Sequence, residues 1–457
     1  MNTAKPAVLD LKLPAHRTFA HLLVNTLLVS VINFTVWFAI TFWVFLETKS
    51  VLATGMVAGI FLVMTSVSGI WFGSLVDRFR KKVVMQVSTA VSLVLYVAAF
   101  VLYQLTPAAA FADAATVRLW LFIVLAMVGV IAGNVRTIAL QTLVTALIED
   151  ERRDRANGLV GTTSGVSFLI TSVISGVLVA AGDMLYVLLL AMLVMGLSLA
   201  HLARVEVDCW MVTPPAPAED APPASDTIDL RGTIRTVRGV PGLLALILFS
   251  CLNNFLGGAF MALMDAYGLS MVSVQTWGLL WGALSAGFII GGLAVTRTGL
   301  GRNPVRLLLL INLVLWTVTC LFPLRSSMIT LTIGMAVYMV LIPYAEAAEQ
   351  TILQRVVPYE RQGRVFGFAQ SVEQAASPLT AFFIGPLTQL VFIPLMTDGL
   401  GARLIGSWFG TGAARGIALV FVLTGIIGIV ITTIALGSRY YRQLVERYSR
   451  TPEPAAA

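Results

Sequence analysis

Apolar residues in this chain gather into twelve long runs, separated by short stretches that carry nearly all the charge. The runs cover 19–43, 51–74, 83–105, 117–147, 158–181, 184–203, 241–265, 275–296, 304–323, 327–356, 364–390 and 415–437. A helix of about 20 apolar residues crosses the hydrocarbon layer of a bilayer. The pattern therefore predicts twelve transmembrane helices and no strands. Gly and polar residues interrupt several runs, which helices tolerate where neighbouring helices satisfy the freed groups. Only Gly182 and Asp183 join the fifth and sixth runs, so a tight hairpin is expected there.

The polar stretches divide the chain. The longest, 204–240, contains PPAPAEDAPPAS (214–225), whose composition is that of a mobile linker. After it, DLRGTIRTVRG (229–239) spaces Leu230, Ile234 and Val237 at helical intervals among Arg231, Arg235 and Arg238. That is the pattern of a short amphipathic helix on a lipid surface. The expected organisation is a six-helix half (1–203), the linker with its helix (204–240), a second six-helix half (241–440) and a tail (441–457). The stretch 391–414 mixes Leu404, Ile405, Trp408 and Phe409 with Gly, as in a partly buried loop or short helix. Shifted by 209 residues, QTLVTALIEDERRDRANG (141–158) falls on QTILQRVVPYERQGRVFG (350–367) with six of 18 positions identical. Internal repeats of this kind build many secondary transporters, with the site where the repeats meet.

Charge orients the spans. Of 30 Lys and Arg, 24 lie in the termini and even-numbered connections, five (Lys49, Arg118, Arg325, Arg403, Arg415) in the odd-numbered ones, and Arg136 inside a span. By the positive-inside rule both termini are cytoplasmic. Composition agrees with lipid as the solvent: 58% of residues are hydrophobic and 12% charged, against about 25% charged in a soluble domain. Mean hydropathy is +0.89. The net charge of +7 is then a matter of topology, and no nucleic-acid partner is expected. The first residues hold no short apolar core with a cleavage site, so no removable leader is expected. Cys209, Cys251 and Cys320 lie far apart and read as packing residues. His16, His21 and His201 have no partner set for nucleophilic or metal chemistry, and no phosphate-binding loop is present. No catalytic site, metal or cofactor is expected; energy would come from an ion gradient.

The most specific signal is GSLVDRFRKK (73–82), between the second and third runs. It resembles the loop signature G-x-L-[AV]-D-R-x-G-R-[KR] of the major facilitator superfamily, with Arg80 where the family has its second Gly. The resemblance implies twelve helices in two six-helix halves. It implies that Gly73 lets two helices approach closely, and that Asp77 and Arg78 brace helix ends as a gate, with Arg80 beside them. The bases alone would also serve topology. Spans 1, 4, 7 and 10 of the superfamily line a central cavity. By that resemblance Asn25, Asn33, Gln141, Asn253 and Asn254 face substrate; the asparagines would equally serve as interhelical hydrogen-bonding groups. AGNVRTIALQ (132–141) is similar to the superfamily antiporter pattern with an intramembrane Arg, here Arg136.

Glu346, Glu349 and Glu373 are the acids at span depth. PYAEAAEQT (343–351) places Glu346 and Glu349 three residues apart, on one helix face. Ionisable groups at that depth are costly and mark substrate or proton pathways. The three Glu and Arg136 are therefore the candidates for proton coupling, with a static charge pair as the alternative. The fifth span partly matches the exporter signature G-x-x-x-G-P-x-x-G-G: Gly161 and Gly165 have its spacing, and Val166 stands where Pro is expected.

WFGSLVDRFRKK, RANGLVGTTSGVSF and QSVEQAASP look most like the bacterial drug:proton antiporter branch that includes macrolide and siderophore exporters. The expected function is proton-coupled efflux of small amphiphilic compounds or drugs by a monomer in the bacterial cytoplasmic membrane. Its partners would be substrate, protons and membrane lipid. A dedicated siderophore or metabolite exporter, an importer, and a non-transporting sensor or scramblase remain open alternatives.

Overall fold

The computed structural model describes residues 9–206 and 229–450, so Cys209 and the linker 214–225 lie outside the described residues. Among these, all regular structure is helical. The main helices are α1 (Pro14–Thr48), α2 (Val51–Arg78), α3 (Lys81–Leu105), α4 (Val117–Gly133), α5 (Val135–Leu147), α6 (Arg153–Arg204), α7 (Leu230–Gly239) and α8 (Leu243–Leu269). They continue with α9 (Val274–Thr298), α10 (Pro304–Leu321), α11 (Met328–Val356), α12 (Gln362–Leu387), α13 (Leu400–Phe409), α14 (Ala413–Gly437) and α15 (Arg439–Arg450).

Eleven helical segments among the described residues are long and apolar enough to cross a membrane. One of them, Asp150–Arg204, breaks where Gly182 has φ −171°, ψ 35° and Asp183 has φ 52°, ψ −145°. At 1.5 Å per residue it is far too long for one crossing of a layer about 30 Å thick. The break turns it into two spans, and the crossings number twelve as the apolar runs predict. The amphipathic helix expected at 229–239 is α7. The stretch 391–414 forms the short helices Ile393–Thr397 and α13. The tail is more ordered than its composition suggests: α15 buries Leu444 amid Arg and Tyr. Large apolar side chains such as Val67 and Leu279 are 67% and 77% exposed, as lipid-facing groups must be.

By contact the chain forms two compact units. The first comprises residues up to 236 together with 357–371. Its core packs α1 against α6, and α3 against α4 and α6. Trp43 sits at the centre of that core, edge-on to Phe111 at 5.1 Å and to Phe122 at 5.3 Å between ring centroids. The second unit comprises 237–356 and residues from 372 onward. There α10 packs on α14 and α11, and α9 on α11. Phe260 stacks on Phe421 at 4.9 Å in its core. At the start of α14, Arg415 is 4% exposed. It donates to Leu324 O at 2.8 Å and Ser326 Oγ at 3.1 Å, and lies over the Phe409 ring. A residue that counts as topology by sequence is here a structural tie.

Candidate functional site

Two clusters collect most of the residues singled out by sequence. The first lies in the first unit, where α2 meets the start of α12. Gly69 and Gly73 on α2 face Gly363, Gly367 and Ser371 on α12. A Cβ on Gly73 would strike the carbonyl of Gly363 and the Cα of Arg364; one on Gly367 would strike the carbonyl of Gly69. The helices touch backbone to backbone, and that proximity brings Asp77 to the N-terminus of α12. Its carboxylate accepts from the amides of Gly363 at 2.7 Å and Arg364 at 2.9 Å. These are the second and third residues of α12, the amides that an N-cap side chain ordinarily serves. The negative charge also sits at the positive end of the helix dipole. Arg364 adds an ion pair to Asp77 at 3.6 Å and one to Asp229, just before α7, at 3.8 Å. Arg361 donates to Thr236 on α7 at 2.6 Å.

The rest of the loop turns around this contact. Arg78 ends α2 half-buried, and Arg80 is exposed at the N-cap of α3. Lys81 is 2% exposed and lies over the Tyr359 ring at 5.0 Å. The sequence marks Gly73 and Asp77 but not their partners, which lie 286 or more residues away. Replacing Asp77 with Ala removes both acceptors while leaving the helix contact in place. The expected loss is about 1–2 kcal/mol of stability, the usual cost of deleting a helix cap. Thermal unfolding of the detergent-purified protein checks it: Asp77→Asn, which keeps one acceptor oxygen, should fall between wild type and Asp77→Ala.

Elsewhere in the first unit, Arg136 is 1% exposed. It donates to Asn25 Oδ1 and Thr89 Oγ1, both at 2.5 Å, and to Met85 O at 3.3 Å. Asn25 in turn donates to Ser198 O at 2.8 Å and meets His201 Nδ1 at 3.0 Å. Asn33 Oδ1 accepts from Tyr96 OH at 2.8 Å. Asn25 and Asn33 are 0% and 6% exposed, and each spends its amide on a neighbouring helix. Gln141 is half-buried on α5. Nearby, His16 Nδ1 accepts from the amide of Asp10, which leaves Nε2 to donate to Glu149 at 2.9 Å. Burial works to raise the Glu149 carboxyl, but hydrogen bonds from its own amide and from His16 outweigh it and hold the group below its ordinary range.

The second cluster lies wholly in the second unit. A cavity of about 250 Å³ opens between α8, α10, α11 and α12. Its polar lining includes Ser250, Asn253, Asn254, Asn312, Glu346 and Glu349, and its aromatic lining is Trp316 and Tyr338. Most of these groups hold one another in place. Ser250 donates to Glu349 Oε1 at 2.5 Å, Trp316 Nε1 to Asn253 Oδ1 at 2.9 Å, and Asn254 to Ser250 O at 3.0 Å. Ser377 on α12 donates to Asn254 O at 2.8 Å. The carboxyl groups of Glu349 on α11 and Glu373 on α12 are neighbours within this unit. Pro343 interrupts α11 one turn before Glu346, and Pro378 interrupts α12 just after Glu373. Each removes a rung of its helix ladder beside the acids.

The structure thus brings Asn253, Asn254, Glu346 and Glu349 to one cavity and Glu373 beside Glu349, while Arg136 is bonded to Asn25 and Asn33 to Tyr96 in the first unit. Tyr338, Trp316 and Asn312 are cavity residues that the sequence reading does not single out. A polar Asn312 in the apolar run of α10 was the one visible hint. Cys251 and Cys320 are free thiols, and Cys251 donates weakly to Val372 O at 3.6 Å.

Residues 22–381 match the family profile of the Major Facilitator Superfamily. No curated protein matches the chain. Among solved structures, the fold is similar to that of the human organic anion transporter MFSD10 (TETRAN), with 12% identity and a TM-score of 0.64 over 91% of this chain and 100% of that one. It is also similar to a bacterial homologue of the iron transporter ferroportin in an outward-facing state with soaked iron: 15% identity, TM-score 0.65, 92% and 99% covered. A third likeness is to the proton:xylose symporter XylE bound to 6-bromo-6-deoxy-D-glucose, with 11% identity, TM-score 0.62, and 92% and 96% covered. At these identities the likeness is one of fold. The profile covers most of the chain, and with it the protein is identified as a transporter of the Major Facilitator Superfamily and not an enzyme.

Proposed function

We propose that the protein is a proton-coupled exporter of small amphiphilic compounds or drugs. It would work by alternating access as a monomer in a bacterial cytoplasmic membrane, with both termini cytoplasmic. The observation that supports this reading is the pair of neighbouring carboxyl groups, Glu349 and Glu373, one on the cavity wall and one beside it, on helices interrupted by proline. A proton held there is released when the two carboxyls part, and a substrate arriving in the cavity supplies a reason for them to part. The Asp77 contact with α12 serves as the gate: it holds while the carboxylate reaches both amides, and breaks when α12 moves away from α2. The excess of Lys and Arg in alternate connections supports the orientation, and Gly161 and Gly165 support the exporter branch.

A reversed direction is favoured by one feature, Val166 in the place of the exporter signature's Pro. Both readings meet the same test. Purified protein is placed in liposomes with an imposed pH gradient, and internal pH is followed while cationic dyes, macrolides, tetracyclines and siderophores are added singly. Proton movement that depends on one compound and runs opposite to it is the expected result. Movement of both in the same direction would make the protein an importer or symporter. No compound-dependent proton flux would remove proton coupling from the reading.

A further inference from the structure

The cavity of the second unit has a chemistry of its own. Among the described residues no Lys, Arg or His lines it, while Glu346 and Glu349 do. The two acids are differently placed. Glu349 is occupied, accepting from Ser250 and lying beside Glu373. Glu346 is not: among the described residues it has no hydrogen bond and no ion pair, and its side chain is exposed on the cavity wall. A carboxyl group on the wall of a cavity with no partner of its own is available to pair with a cation that enters. The aromatic side chains of Trp316 and Tyr338 line the same cavity. Aromatic faces attract cations and accept flat apolar bodies.

Size then separates the possible cations. One water needs about 10–15 Å³ of such space, and this cavity has about 250 Å³. Among the described residues no group of three or more His, Cys, Asp or Glu is placed to hold a metal ion. The space and the aromatic lining suit an organic ion. An anion entering here would leave water to meet two carboxyl groups and no base.

Resting on the transporter reading above, we infer that the cavity is a binding site for an organic cation: an amine or ammonium head paired with Glu346 and an aromatic or apolar body against Trp316 and Tyr338. Asn253 and Asn254 flank the body, and the head displaces no existing partner of Glu346, which has none among the described residues.

Binding tests this without any transport. Purified wild-type protein in detergent is titrated by calorimetry with three probes of one shape: 2-(1-naphthyl)ethylamine, 2-(1-naphthyl)ethanol and 1-naphthylacetate. The amine should bind saturably and at least tenfold tighter than the alcohol, with no binding of the acetate. Glu346→Gln should weaken the amine at least tenfold and leave the alcohol within about twofold. Glu346→Asp should keep the preference for the amine. Equal affinity for amine and alcohol, tighter binding of the acetate, no saturable amine binding, or an unchanged amine affinity in a folded Glu346→Gln protein would each overturn the inference. The wild-type charge series stands even if a variant does not fold. Amine binding with no proton-coupled flux in liposomes would sink the transport reading and leave the cation site in place.

Discussion

Glu373→Gln is expected to abolish uphill transport while leaving the protein folded and able to exchange substrate. A Gln is nearly the shape of a protonated Glu and has an amide NH₂ to donate. It can therefore donate to the neighbouring Glu349 permanently, in the place where the proposed mechanism uses a proton. What it cannot do is release that proton. Each pH unit across the membrane is worth about 1.4 kcal/mol per proton, or a tenfold concentration ratio. With one proton exchanged per substrate, a gradient of two units sustains at most about a hundredfold accumulation by wild type. The variant should fall to a ratio near one under the same gradient, with counterflow at zero gradient kept within a few-fold. Glu349→Gln should do the same with some loss of stability, because Ser250 then donates to a neutral oxygen. If both variants accumulate substrate like wild type, the carboxyl pair is not the coupling element.

The second large effect is one of stability. Gly73→Ala adds a single methyl group where the neighbours are the carbonyl of Gly363 and the Cα of Arg364, both main chain. No side chain is there to rotate aside, so α2 and α12 must separate. Overpacking of this kind costs about 1–3 kcal/mol. Separation also draws Asp77 off the amides of Gly363 and Arg364, which adds about 1 kcal/mol, the typical value of a cap. A total of about 2–4 kcal/mol should appear as a large fall in melting temperature in detergent. Gly59 on the same helix is the control: nothing lies within 4 Å of where its Cβ would be. Gly59→Ala should be neutral or stabilising by up to about 1 kcal/mol, since Ala is the better helix former. Equal behaviour of the two variants would refute the close-contact account.

These two effects show what was legible in the sequence. The fold was, because twelve apolar runs leave one class of architecture open, and even the hairpin at Gly182–Asp183 follows from two residues between two runs. The motif residues Gly73 and Asp77 were legible as types, and α11 periodicity put Glu346 and Glu349 on one face. Partnership was not. Asp77 meets Gly363, and Glu349 meets Glu373, across helix pairs whose local patterns are independent of each other. For the same reason Asn25 and Asn33 could not be told from Asn253 and Asn254: all four are polar residues in apolar runs. Only packing separates those that tie helices together from those that border a cavity. α15 was hidden differently, by Arg and Tyr that outweigh Leu444 in any count of hydrophobicity while leaving it the buried position.

The backbone contact between α2 and α12 also constrains the gene. Any missense change in a glycine codon adds a Cβ, so Gly73 and Gly367 have no conservative neighbour in codon space. A collision in most protein interiors can be relieved by a second mutation that trims the residue opposite. Here the residues opposite are Gly363 and Gly69, which are already as small as a residue can be. Compensation by trimming is closed from both sides, and a lineage that leaves glycine at this crossing has to re-space two helices rather than exchange two side chains.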